Sequence, residues 1–241
     1  MYMKAFSKMF IAAAILVSFG ASKAAAQSVP VKPLQPDDKI MIGSNIEYHM
    51  GLGFGVNFMT DLPNEYDWVG KAWGLDFSFN FAEFYWSGLS KTNQFYLTLG
   101  LENKSFRLRD DTAFSLDPLG TKTLIPVVFP DADDMKMSAL RVFSWNVGMG
   151  YRYEASEDFA FSLGPIVNFN TNSRIKNKWY DADGKKQKDK TKWGKHELIT
   201  IEFMAKLEFH GLGLYVKYCP FPLFQEDFGP KATTWSVGIM L

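Results

Sequence analysis

Cysteine is all but missing from this 241-residue chain: Cys219 stands alone, so no intramolecular disulfide can form. Charge of one sign is missing too. There are 26 basic and 26 acidic residues, and that balance argues against a nucleic-acid partner. Past the first 26 residues there is no continuous apolar run of the ~18–20 residues that a spanning helix requires. Yet 47% of the chain is hydrophobic and 16% aromatic, so the apolar residues must be distributed in some other pattern.

The ends come first. Lys4 and Lys8 flank a charged start, Met9 to Phe19 is apolar, and Ala24-Ala25-Ala26 offers a small-residue cleavage site. Together they read as a secretory signal peptide over 1–26, cut before Gln27. The alternative, a membrane anchor, asks for a longer run. A mature chain of 215 residues would keep 23 basic and 26 acidic groups, a net −3. Pro30, Pro33 and Pro36 make 27–43 an extended leader, neither helix nor central strand. The rest, 44–241, is long enough for one domain.

That remainder alternates with a period of two. Ile46, Tyr48, Met50, Leu52, Phe54, Val56 and Phe58 interleave with Asn45, Glu47, His49, Gly51, Gly53, Gly55 and Asn57. The same pattern marks strands over 46–58, 73–86, 94–103, 140–153, 159–170, 196–209, 212–221 and 232–241. Most reach the ~9–11 residues that cross a bilayer at a tilt. One parity carries the large apolar side chains, such as Phe77, Phe79, Leu97, Trp145, Phe161, Ile201, Phe203, Val216 and Val237. The other carries Glu47, Asp76, Glu102, Arg152, Glu202, Lys206, Glu208 and Lys217, with ten glycines. Glu83, Arg141 and Glu197 break the rule, each near a strand end, where a lipid-facing charge costs little.

Gaps between these spans run 14, 7, 36, 5, 25, 2 and 10 residues. Alternating long and short gaps are the rhythm of a bacterial outer-membrane barrel, with short periplasmic turns and longer external loops. The expected fold is therefore all-β: an eight-stranded antiparallel transmembrane barrel, an up-and-down meander with both termini periplasmic. A soluble sandwich or lipocalin-like barrel would bury a core of mixed shapes, not stack aromatics opposite glycines. A ten-stranded barrel would need Thr121–Phe129, but Pro126 interrupts that run, which suits an external hairpin better.

Eight strands enclose an interior just wide enough for side chains. Glu47, Asp76, Glu202 and Glu208 would face Arg152, Lys206 and Lys217 across it. This lumen network reads as a salt-bridged plug; a gated ion pathway is the alternative. His49 and His210 share the inner parity near Glu47 and Glu208, but no ligand spacing repeats, so neither metal nor cofactor is expected. His196, with Glu197 beside it, lies at the external rim and is expected to be solvated. No serine of distinctive context accompanies it, so no enzymatic activity is expected.

The gap at 171–195 is the most distinctive loop. Arg174, Lys176, Lys178, Lys185, Lys186, Lys188, Lys190, Lys192 and Lys195 outnumber Asp181, Asp183 and Asp189. Asp181-Ala182-Asp183-Gly184 signals a turn, so a basic hairpin should stand above the membrane and continue strands five and six. It is either a solvated charged loop or a surface that docks on lipopolysaccharide or capsule phosphates. Expected partners are outer-membrane lipid, lipopolysaccharide, the barrel-assembly machinery during insertion and a surface or secretion protein.

Gly213-Leu-Tyr-Val-Lys-Tyr218, Asp227-Phe-Gly-Pro-Lys231, Trp235-Ser-Val-Gly-Ile-Met-Leu241 and Phe161-Ser-Leu-Gly-Pro-Ile-Val-Asn-Phe169 resemble the small outer-membrane barrels of Bacteroides-type bacteria. The resemblance implies a PorT-like or OmpX-like barrel and a C-terminal assembly signal, although many barrels end in Phe where this chain has Leu241. It transfers no catalytic residue. Structural or surface interaction, a narrow porin-like channel, and a PorT-like accessory role in secretion are the functions it leaves in view.

Overall fold

The computed structural model describes residues 40–42, 45–70, 73–87, 92–108, 112–119, 121–128, 132–156 and 158–241. The expected signal peptide and nearly all of the leader lie outside them. Twelve strands follow in order: β1 Ile40–Met41, β2 Ile46–Thr60, β3 Trp73–Ser87, β4 Asn93–Leu108, β5 Thr112–Leu116, β6 Leu124–Val128, β7 Ala132–Ser156, β8 Phe159–Asp181, β9 Lys186–Lys192, β10 Ile199–Phe209, β11 Leu212–Cys219 and β12 Thr233–Met240.

Eight of them (β2, β3, β4, β7, β8, β10, β11 and β12) pair in sequence order, each antiparallel to the next, and β12 closes on β2. The expected eight-stranded meander is the observed one. Closure pairs every strand on both sides and leaves the barrel no edge, as strands in hydrocarbon require. At the end of the expected leader, β1 adds to β2, with Ile40 opposite Tyr48. The run near Pro126 forms β6, which pairs with β5 in a two-stranded hairpin apart from the barrel sheet.

The apolar parity faces out. Leu52, Phe54, Leu75, Phe77, Leu163, Phe203, Leu214 and Ile239 are all exposed. Along β3, Leu75 to Phe84 spans ~30 Å of strand, or ~23 Å at a tilt of ~40°, close to the ~25 Å apolar band of outer-membrane barrels. Aromatic side chains border it: Trp73 at the end bearing the long loops, and Trp86, Tyr151 and Tyr153 at the end bearing the short turns. The architecture is that of a small transmembrane β-barrel.

Inside, glycine and tyrosine fit one another. Tyr215 lies opposite Gly238, which itself pairs with Gly55, and a Cβ on Gly238 would stand 2.7 Å from the Tyr215 ring. Tyr96 occupies the same kind of niche: a Cβ on Gly150 would come within 2.7 Å of its ring. The inner glycines thus make room for rings that fill the interior across strands.

Two register shifts change the parity reading, one on β8 at Thr171, after which odd positions such as Ser173 and Ile175 face in, and one on β3. β3 carries an extra residue between Asn80 and Ala82, against both β2 and β4. A bulge switches which face the following residues occupy. Glu83, expected to face out, therefore points inward and is buried.

Candidate functional site

Two groups of charges cross the interior. Nearer the long loops, Lys217 Nζ lies 2.5 Å from Glu102 Oε1 and 3.2 Å from Asp76 Oδ2. Tyr215 donates to that Asp76 oxygen at 2.9 Å. Lys104 pairs with Glu202, and its Nζ lies 3.5 Å from Glu102. These side chains come from β3, β4, β10 and β11. Nearer the short turns, Arg152 and Lys206 share Glu208, at 2.9 and 2.7 Å. Arg152 also donates to Gln94 at 2.6 Å and reaches Glu154 at 3.1 Å. Lys206 donates to the Tyr85 hydroxyl at 3.3 Å, which donates to Glu83 at 2.8 Å. Asn80 donates to the other Glu83 oxygen at 2.6 Å.

The structure thus joins Asp76 to Lys217 and Glu208 to Arg152 and Lys206. Glu202 meets Lys104, a residue one position beyond the expected strand end; its inward parity was the signal available. Glu102 bridges the two lysines. Glu47 lies opposite Tyr85 at the short-turn mouth, 3.5 Å from His49 Nε2, and His49 packs edge-on against the Tyr85 ring. His210 does not share the lumen with His49. It sits in the two-residue β10–β11 turn with φ 48° and pairs with Asp158 at 3.0 Å.

At the long-loop end the interior changes character. Phe106, Leu108, Leu140, Val142 and Ile175 take inward positions on the continuing strands and pack with Val69, Phe114, Leu124, Trp193, Leu223 and Phe224 from the loops. Hydrogen bonds fix this apolar cap. Ser138 accepts from the Phe114 N–H at 2.8 Å and donates to Asn177 at 2.8 Å, and Asn177 donates to the Phe114 carbonyl at 2.9 Å. Trp193 donates its ring N–H to the Lys122 carbonyl at 2.7 Å and packs on Phe224.

His196 belongs to the cap and is buried, contrary to the solvated rim position expected of it. Strand six begins at Ile199, not at 196, because the chain leaves the sheet over 193–198, where Trp193 and His196 are buried and His196 bridges Phe224. Its Nδ1 accepts from Ser173 Oγ at 2.8 Å, and Nε2–H donates to the Asn170 carbonyl at 3.0 Å. Burial holds this imidazole below the ordinary histidine range. Ser173 is also buried, and it accepts from the Gly194 N–H at 3.0 Å. The pair latches the segment to β8; a substrate could not reach Ser173 without opening the cap.

The basic hairpin is present. β8 runs without interruption past the barrel to Asp181, and β9 folds back on it, with Arg174 opposite Lys192, Lys176 opposite Lys190 and Lys178 opposite Lys188. Lys185 and Lys186 are exposed at its tip. Asp181 accepts from the Lys185 N–H at 2.8 Å and the Gln187 amide at 2.7 Å, which close the turn and hold its carboxyl below the ordinary range.

No family model matches this chain, and no curated protein matches it. Among solved structures it is similar to Ail, the attachment invasion locus protein of Yersinia pestis. The identity is 12%, over 82% of this chain and 99% of that one, with a TM-score of 0.35.

Proposed function

We propose that this chain is an integral protein of the bacterial outer membrane with a plugged lumen, whose work is done outside the cell by its long loops. In this reading the long-loop end is external, both termini are periplasmic, and no reaction is catalysed. The carrying observation is the dryness of the interior charges: Lys217 is 2% and Asp76 1% exposed. Buried ions persist when they are paired and hydrogen-bonded, and a water-filled path would have wetted them. The apolar cap over one end supports the same reading.

The basic hairpin is the surface through which the loops act, by attraction to anionic lipopolysaccharide or capsule. A Bacteroides-type origin and a PorT-like secretion role rest on the sequence resemblance. The channel reading draws on one observation: Asp76, Glu102 and Glu202 outnumber Lys104 and Lys217, an excess that would favour cations. Planar-bilayer recording on refolded protein separates the two. The plug predicts a silent membrane; steady, reproducible conductance would overturn it.

A further inference from the structure

The outer wall at the long-loop end carries a group of cations with no described counter-charge. Three hydrogen-bonded rows cross it. In the first, Ser105, Arg141, Arg174 and Lys192 lie side by side across β4, β7, β8 and β9. The second holds Trp73, Arg107, Ala139, Lys176 and Lys190; the third holds Met137, Lys178 and Lys188. All of these take the outward parity, since Phe106, Leu140 and Ile175 between them fill the cap.

Like charges directly opposite on neighbouring strands, with Cβ atoms ~4.5–5.5 Å apart, repel and destabilise the pair. Arg141–Arg174, Arg174–Lys192, Lys176–Lys190 and Lys178–Lys188 are four such pairs. Among the described side chains no acid shares this face, because Asp189 pairs with the inward Asn177. The repulsion is felt locally: the Lys188 charge lowers the pKa of Lys190, and burial, Lys178 and Arg141 lower that of Lys176. Arg107 and Arg141 each have a buried Nε with no hydrogen-bond partner among the described residues. Their guanidinium groups are held against the wall without a carboxylate to receive them.

Directly below lies a shallow apolar groove of about 330 Å³ on the lipid side, lined by Leu52, Phe77, Phe79, Leu101, Asn103 and Phe143 and by Glu102, whose carboxylate pairs with Lys217 inside the barrel. Phe143 is two residues from Arg141, ~7 Å along the strand. Cations above, an apolar groove below and a polar Asn103 at the border match the order of parts in a lipid.

We propose that this wall is a binding site for a multiply phosphorylated glycolipid of the outer leaflet, of the lipid A class. Arg107, Arg141 and Arg174 hold a phosphate, Lys176, Lys190 and Lys192 in the rows beside them hold a second anionic group, and one acyl chain lies in the groove. Arginine suits the task because its planar fork engages two phosphate oxygens at once. Several cations across four strands exceed what one phosphodiester neutralises, which favours lipid A over a simple phospholipid. The inference rests on the proposed external placement of the long loops, and it replaces diffuse attraction at the hairpin with a built site on the wall.

The test uses the full mature chain, refolded in micelles at about 150 mM salt and titrated by native mass spectrometry. Three probes are needed: bisphosphorylated lipid A, the same lipid stripped of phosphate, and phosphatidylglycerol. Lipid A is expected to be retained at least about tenfold better than either of the others. R107Q/R141Q/R174Q should lose most of that preference, whereas K185Q/K186Q, at the hairpin tip, should keep it. Arg141→Lys, which preserves charge but not the fork, should weaken binding severalfold and covers the case in which the triple variant does not fold. Equal retention of dephosphorylated lipid or of phosphatidylglycerol would overturn the proposal, as would an unchanged triple variant. Equal losses in the arginine and tip-lysine variants would overturn the built site yet leave the hairpin's charge-driven docking standing. Conductance, measured separately, bears only on the plug.

Discussion

The same strands obey opposite rules at their two ends. Within the apolar band, β7 turns Phe143, Trp145 and Met149 outward and Ser144, Asn146 and Gly148 inward. A few residues nearer the loops it turns Leu140 and Val142 inward and Arg141 outward. β4 changes from Glu102 and Lys104 inside to Phe106 and Leu108, and β8 from Asn168 and Asn170 to Ile175. Each strand is inside-out where its surroundings are hydrocarbon and apolar-in where they are water. The hydrophobic effect accounts for both halves, since apolar area leaves water in each case. The barrel half has a polar interior because its apolar residues are wanted outside; the cap half is an ordinary core resting on it.

The sharpest way to break this contrast is to put charge on the outer face of the band. Phe79→Arg or Ile201→Arg costs roughly 2–4 kcal/mol near midplane, and neither variant should reach the heat-modifiable folded form on gels. If both did, the outward assignment of β3 and β10 would be wrong.

The two interiors should also fail differently. Lys217→Met strands Asp76 and Glu102 without their shared cation, a loss of about 3–5 kcal/mol that should lower the urea midpoint of the whole barrel. Phe106→Ala removes a ring from the cap at a similar ~3–5 kcal/mol. Its effect should be confined to the loops, seen as faster hydrogen exchange at Trp193 and Gly194 with the barrel amides unchanged. Equal, global effects of the two would mean that the halves are one cooperative unit.

The smallest effect is pH-dependent. His196 is held neutral by burial, with its folded pKa below the unfolded value of ~6.5. Its contribution is therefore complete above pH ~6.5 and is lost as pH falls from there through the folded pKa. Exchange at Gly194 should quicken modestly from pH 7.5 to 5.5, and His196→Gln should remove that dependence. A pH response that persists in the variant would place its origin elsewhere.

Much of the barrel half was legible because a period of two leaves little room for error. Outward aromatics opposite inward glycines located all eight strands, and the gap rhythm gave their number. What escaped were departures from strict alternation. Glu83 looked like an outward charge because the bulge before it leaves no mark in composition. Arg141 looked like a tolerated exception, when it is the first outward position beyond the inversion. Lys104 lay past the last apolar residue that defined its strand. His196 followed a basic hairpin, and its burial depends on the returning loop that brings Phe224 against it. The cap itself draws on Val69, Phe114, Leu124 and Trp193, residues brought together only by loop paths that no local pattern encodes.

The inversion can be measured along one strand. In a Cys219→Ser background, single spin labels from Met137 to Met149 on β7 would be tested for collision with oxygen, which enriches in lipid, and with a water-soluble nickel chelate. Odd positions from 143 to 149 should meet oxygen, odd positions from 137 to 141 should meet nickel, and even positions should meet neither throughout. Oxygen contact continuing at odd positions up to 137, or nickel reaching the even positions, would contradict the inverted face or the filled interior respectively.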